Sequence, residues 1–157
     1  MRHKKVSARI VALDKVYNNR LVTKFINRLM RDGKKSAAQS VFYGAFAILD
    51  QKQQKPLEVF EKAVQNVGPK TEVKARRVGG ASYQVPQEVR ADRRVSLAIR
   101  WIIQAARDRS SKEYHTFAEK LSAEFLDASQ NQGAAIKKRD TVHRMAEANR
   151  AFSHFRW

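Results

Sequence analysis

The chain has 157 residues, 43% hydrophobic and 30% charged, with 32 Lys and Arg against 15 Asp and Glu for a net charge of +17. That length and apolar share suit one compact core and exclude wholesale disorder. The absence of cysteine excludes disulfide, thiolate-metal and cysteine-nucleophile chemistry, and the positive field calls for a polyanionic partner.

Residues 1–17 mix basic and apolar side chains without a sustained period, which reads as a basic N-terminal arm ordered by its partner. Residues 18–157 read as a single helical domain. From Asn19 a helical stripe of Leu21, Val22, Phe25, Leu29 and Met30 begins, with Asp32-Gly33 as its stop. Ser36 is expected to cap a second helix carrying Ala37, Val41, Ala45, Ile48 and Leu49. Pro56 suits the first turn of a third, with Leu57, Phe60, Ala63, Val64 and Val67 on its apolar face. Gly68-Pro69 then breaks the pattern.

Between Thr71 and Val89 the period changes to two around Gly79-Gly80, which predicts a β-hairpin at about 71–89. A three-residue loop centred on Gly80 sets Ala75 opposite Val85 and Arg77 opposite Tyr83, collecting the apolar side chains on one face. Pairing symmetric about Gly79-Gly80 mixes the faces, so the three-residue loop is expected. A lone ribbon is marginal in water, and its base should pack on helices while its tip projects.

Asp92 is expected to cap a fourth helix with Val95, Ala98, Ile99, Ile102, Ile103 and Ala106 inward. A fifth runs from about Tyr114 to Ser129 with Phe117, Ala118, Leu121 and Phe125. A sixth follows Gly133 and uses Ile136, Val142, Met145, Ala146, Asn149 and Phe152. The fold class is therefore mainly α, a six-helix bundle-like body with a protruding two-stranded β-hairpin between helices three and four. The longest apolar run, Val41 to Leu49, is nine residues, short of the roughly 20 that cross a bilayer, and no apolar leader follows Met1. A soluble, unexported chain without a membrane partner is expected.

Charge is uneven along this plan. Residues 1–35 carry +9, 70–94 carry +4 and 134–157 carry +4, while 36–69 and 95–133 are neutral. Three basic segments separated by neutral scaffold fit several contact points on a folded nucleic acid. Arg2, Lys4, Lys5 and Arg9 of the arm could thread between RNA helices, where the bland alternative is a solvated tail. Gly33-Lys34-Lys35 lacks the earlier glycine and preceding strand of a phosphate loop. It reads as a helix end whose Lys34 and Lys35 meet phosphates.

On the ribbon, Lys74, Arg76 and Arg77 with Tyr83 offer charge, guanidinium planes and an aromatic face, and Arg90, Arg93 and Arg94 continue the charge. Lys137, Lys138 and Arg139 open the last helix against its dipole, which a phosphate would relieve. Trp101 reads as core or interface, and Phe155 with Trp157 as an aromatic end docked on a partner. His3, His115, His143 and His154 lack metal-ligand spacing, and no carboxylate pair suggests acid-base catalysis, so no metal, cofactor or enzyme activity is expected. A DNA-bending protein with basic β-arms is the rival reading, but such proteins usually act as dimers; a nucleic-acid-modifying enzyme would need an acid, base or metal motif that is missing.

Three motifs carry a closer resemblance. Asn19 to Ala45, with Leu21, Phe25-Ile26, Gly33-Lys34-Lys35, Val41-Phe42 and Ala45, matches the signature spacing of the bacterial-type small-subunit ribosomal protein seven family. The hairpin Val73 to Pro86 and the ending His143 to Trp157 also resemble that family. The resemblance implies a structural protein that binds the head domain of small-subunit ribosomal RNA and nucleates head assembly. It places the hairpin near the exit site for transfer RNA and the messenger path, with small-subunit ribosomal proteins nine and eleven as neighbours, in the cytoplasm or an organelle. Carried over residue by residue, it marks Lys34, Lys35, Lys74, Arg76, Arg77, Arg90, Arg93, Arg94, Lys137, Lys138, Arg139 and Arg144 as RNA contacts. Departures lie at the front, where Met1-Arg2-His3-Lys4 stands in place of proline and arginine and Asp14-Lys15 in place of Asp-Pro, and in Ser110 to Gln130, which matches loosely.

Overall fold

The computed structural model describes residues 10–155, apart from the side chain of Val78. Its order is α1 (Arg20–Leu29), α2 (Lys35–Gln51), α3 (Pro56–Val67), β1 (Thr71–Val78), β2 (Ala81–Glu88), α4 (Ala91–Asp108), α5 (Phe117–Ser129), α6 (Ala134–Ala148) and a closing 3-10 turn, η1 (Arg150–Phe155). The mainly helical body with a hairpin between the third and fourth helices is as expected.

The core is built on phenylalanine. Phe25 of α1, Phe42 and Phe46 of α2, Phe60 of α3 and Phe125 of α5 are fully buried. Their rings meet tilted or edge-on, with centroids 4.3 to 6.3 Å apart. Such geometry adds quadrupole attraction to the burial of large apolar surfaces. The buried face of α2 differs from the predicted stripe. Ala38, Phe42, Ala45, Phe46 and Leu49 are buried, while Ala37 is exposed and Val41 and Ile48 are half-buried. The helix is apolar over most of its circumference, and the larger aromatic rings claim the interior.

Helix ends also depart from expectation. Asn19 caps α1 as its side chain accepts from the Leu21 N–H at 2.7 Å, but the helix stops at Leu29. Met30 leaves it with ψ 136. Asp32 and Gly33, both at positive φ, then form the reversal into α2 rather than the cap of α1. Lys34, not Ser36, occupies the N-cap of α2, and Arg90, not Asp92, that of α4; neither makes a side-chain capping bond. Ser36 and Asp92 sit inside the first turns. The fifth helix begins only at Phe117, because Thr116 and Glu119 form a reciprocal capping box, and the sixth ends at Ala148, leaving Phe152 in the 3-10 turn.

The hairpin adopts the register that apolar patterning disfavours. Arg76 faces Tyr83, Lys74 faces Val85 and Val78 faces Ala81, closing on the two-residue turn Gly79-Gly80. Both glycines have positive φ, 56° and 92°, the type I′ geometry whose twist matches the strands. That turn outweighs the segregation of apolar side chains. The resulting inner face is mixed: Val85 and Glu72 are buried and Tyr83 half-buried, all on the same side.

Candidate nucleic-acid interface

Hairpin, α4 and α6 are tied by polar contacts that use several predicted RNA-binding residues. Arg93 donates Nε and Nη2 to both Glu72 oxygens at 2.8 to 2.9 Å, with Lys74 at 3.5 Å. Burial opposes ionisation of Glu72, yet the hydrogen bonds and charge of Arg93, with Lys74, outweigh it and hold the carboxyl below its ordinary value. Arg94 donates to the Gly68 carbonyl at 3.0 Å, and a Cβ on Gly68 would meet the Arg94 side chain at 2.8 Å. Arg139 donates to the Asn66 carbonyl at 2.8 Å and pairs with Asp140. Three cations carried over as RNA ligands therefore also brace the fold.

The aromatic side chain on the ribbon is likewise engaged. Tyr83 packs between Phe152 and Phe155 of η1, with centroids at 5.3 and 5.1 Å, so these two rings of the ending dock on the chain's own hairpin. Trp101 is half-buried against the core. At the ribbon base, His143 Nε2 accepts the Lys70 N–H at 3.0 Å. Burial, then the charge of Arg139, pushes the His143 imidazole below its ordinary pKa, which favours the neutral acceptor.

Lys34, Lys35, Arg77, Arg90, Lys137, Lys138 and Arg144 are exposed and Arg76 is half-buried. Helix α2 opens with Lys34 and Lys35 at a terminus that has no acidic side chain in its first turn, and α6 has none in its first turn either. The partial positive charge of such helix ends adds to the lysines and favours anions. The arm cations Arg2, Lys4, Lys5 and Arg9, and Trp157, lie outside the described residues. The described end of the arm is held to the body: Asp14 is buried, accepting from the Val16 and Tyr17 N–H groups and from the Tyr43 hydroxyl at 2.7 Å. Burial and this bond push Tyr43 up to about 12.

Folding also gathers a surface that the charge of chain segments only partly reveals, joining cations of the +9 segment 1–35 to two from the neutral segment 95–133. Lys24 and Arg28 lie one turn apart on α1, with Arg31 just beyond it, and Arg93, Arg100 and Arg107 recur every seven residues along α4. Where α1 meets α4, three adjoining cavities form a seam. The first is lined by Lys24, Arg28, Asp92 and Ile99 among others, the second by Arg28, Arg100 and Arg107, the third by Arg31, Lys34 and Arg107. Shared Arg28 and Arg107 make the row continuous. Asp92, 4.0 Å from Lys24, is the one carboxylate among the described residues that line these three cavities. Lys24, Arg28, Arg31, Arg100 and Arg107 are absent from the sequence-based site, although the seven-residue spacing on α4 is a readable signal.

Among the described residues no group of three or more His, Asp or Glu could hold a metal ion, and no helix is long and apolar enough to cross a membrane.

Known proteins are similar to this sequence over nearly its whole length. Residues 1–150 match the family model of ribosomal protein S7p/S5e. Similar curated proteins include small ribosomal subunit protein uS7 of Syntrophus aciditrophicus (strain SB), 54% identical over 157 residues and covering 99% of each chain. Those of Bradyrhizobium sp. (strain BTAi1) and Lawsonia intracellularis (strain PHE/MN1-00) are 61% and 56% identical, covering 95% and 97% of this chain and 94% and 96% of theirs.

Proposed function

The chain belongs to the ribosomal protein S7p/S5e family, a structural rather than enzymatic protein of the small ribosomal subunit, and from that premise we propose that it binds the head domain of small-subunit ribosomal RNA and nucleates head assembly. The observation that carries the RNA contact is the seam: six cations from two packed helices and the turn after α1, in one continuous row with a single carboxylate. A rigid row of this kind meets successive phosphates without first ordering a flexible tail, which suits recognition of RNA by shape and backbone.

Exposed Lys34, Lys35, Arg77, Arg90, Lys137, Lys138 and Arg144 extend the contact, and Arg2, Lys4, Lys5 and Arg9 add the arm. Arg93, Arg94 and Arg139 mainly hold the hairpin and helices in position. Tyr83 acts through η1, setting the lie of a ribbon whose tip, with Arg76 and Arg77, reaches toward exit-site transfer RNA and messenger RNA. Small-subunit ribosomal proteins nine and eleven are the expected protein neighbours, and the small subunit in the cytoplasm is the expected location. Residues 1–17 act as the arm and 18–157 as one RNA-binding domain.

The test is binding of the purified chain to a head-domain fragment of small-subunit ribosomal RNA, with random duplex DNA as competitor. Tight binding at physiological salt that resists the competitor supports the reading. Equal affinity for both nucleic acids would overturn it.

A further inference from the structure

The cavity where the end of α1 meets the starts of α2 and α5 and the end of α4 resembles the Lys24–Arg28 cavity in size and apolar lining but lacks its carboxylate, Asp92. It is an open groove of about 350 Å³, within the size range of small-molecule sites. Its walls are apolar, with Met30, Val41 and Phe117 among them, and its rim is basic, with Arg31, Lys34 and Arg107. Among the described residues no carboxylate lines it, and the nearest influence of that kind is the attraction of Asp108 on Arg107. Arg31 and Arg107 stand close enough for each to feel the other's charge, and burial, then this repulsion, lowers the Arg107 pKa. An anion at the rim would relieve that repulsion, and a flat apolar group would cover the walls.

Resting on the RNA-binding reading above, we propose that this cavity takes one unstacked nucleotide of the bound RNA, its base against Met30, Val41 and Phe117 and its phosphate against Arg31, Lys34 and Arg107. A phosphate alone would leave the apolar walls uncovered, and an apolar side chain alone would leave the repulsion between Arg31 and Arg107 unrelieved. A splayed nucleotide satisfies both, which is how single-stranded loops and bulges are usually recognised. The seam then has two jobs. Lys24, Arg28 and Arg100 follow the backbone, and the cavity fixes the register by capturing one base.

The experiment follows the methyl signals of Met30 and Val41 by NMR in the full chain as each of the four nucleoside 5′-monophosphates, or inorganic phosphate, is added. The proposal expects saturable shifts with at least one mononucleotide and none of that size with phosphate. Identical shifts with phosphate, or none with any nucleotide, would overturn it, as would tighter competition from a short acidic, apolar peptide.

A second arm uses the head-domain RNA fragment. Val41→Trp fills the cavity from its wall, and Ala37→Gln narrows it from an exposed position on α2 that tolerates the change. Each should lose about tenfold in affinity, the scale of one base contact, with an unchanged salt slope because no cation is removed. Full affinity in folded Ala37→Gln would sink the cavity while leaving RNA binding standing. Absence of RNA binding by the parent chain would instead strike the broader reading, and the mononucleotide titration would still decide the cavity.

Discussion

The helical body and the hairpin are held by different physics. Five phenylalanine rings, fully buried and touching one another, tie α1, α2, α3 and α5. Among the described hydrophobic side chains of the hairpin only Val85 is buried, and the ribbon is placed by the Glu72–Arg93 pair, the Lys70–His143 bond and the Tyr83 contacts. The aromatic cluster at the centre of the body's core contains no titratable group, so pH acts on the body only through polar contacts around it such as Asp14–Tyr43. The hairpin depends on a few polar and aromatic contacts, some of them titratable. A ribosomal protein of this kind carries a rigid platform and a lightly fastened arm in one chain.

The largest effect should come from breaking the platform. Phe42→Ala removes the ring at the centre of the cluster and should cost about 4 kcal/mol of unfolding free energy in chemical denaturation, with every element losing stability together. Tyr83→Ala should act locally. Loss of its contacts with Phe152 and Phe155 should lower the opening free energy of β2 and η1 by about 1 kcal/mol in hydrogen exchange, while the body melts nearly as before.

A smaller change should follow pH. His143 has a folded pKa below its ordinary 6.5, so its contribution is complete above that value and declines as pH falls through 6.5 toward the folded pKa. The protection factor of the Lys70 amide, its exchange corrected for the intrinsic pH dependence, should therefore fall over that window in the parent and lose this dependence in His143→Gln. Glu72, also held below its ordinary value, weakens the hairpin base only at lower pH, as its carboxyl takes up a proton.

The same contrast explains what is legible in the sequence. Strong 3.6-residue periodicity in α3 and α4 marks Phe60, Val64, Ile99 and Ile102 as core from the residue pattern alone. Helix α2, apolar nearly all round, has no sharp period, and its buried face lies a fraction of a turn from the apparent stripe. The hairpin's existence is plain from Gly79-Gly80, but its register depends on backbone twist at the turn, which apolar patterning does not report. Charge along the chain marks the basic segments but not which of their cations share a face: Lys24, Arg28 and Arg31 lie in the +9 segment and join the site only where α1 packs on α4. Residues 95–133 are neutral as a segment, yet Arg100 and Arg107 turn one face of α4 positive because the balancing carboxylates, such as Glu124 and Asp127, pair with Arg109 elsewhere.

Direct contact between the α1–α4 seam and RNA phosphates is open to one decisive experiment, the salt dependence of binding to the head-domain fragment for the parent and for Arg28→Ala with Arg100→Ala. Both side chains lie on the seam outside the aromatic core, so thermal melting should be nearly unchanged. Binding should weaken, and the log–log salt slope should become shallower by roughly 1.5 to 2, the loss expected for two phosphate contacts. An unchanged slope with unchanged affinity would contradict the seam's role and move the RNA to another face of the molecule.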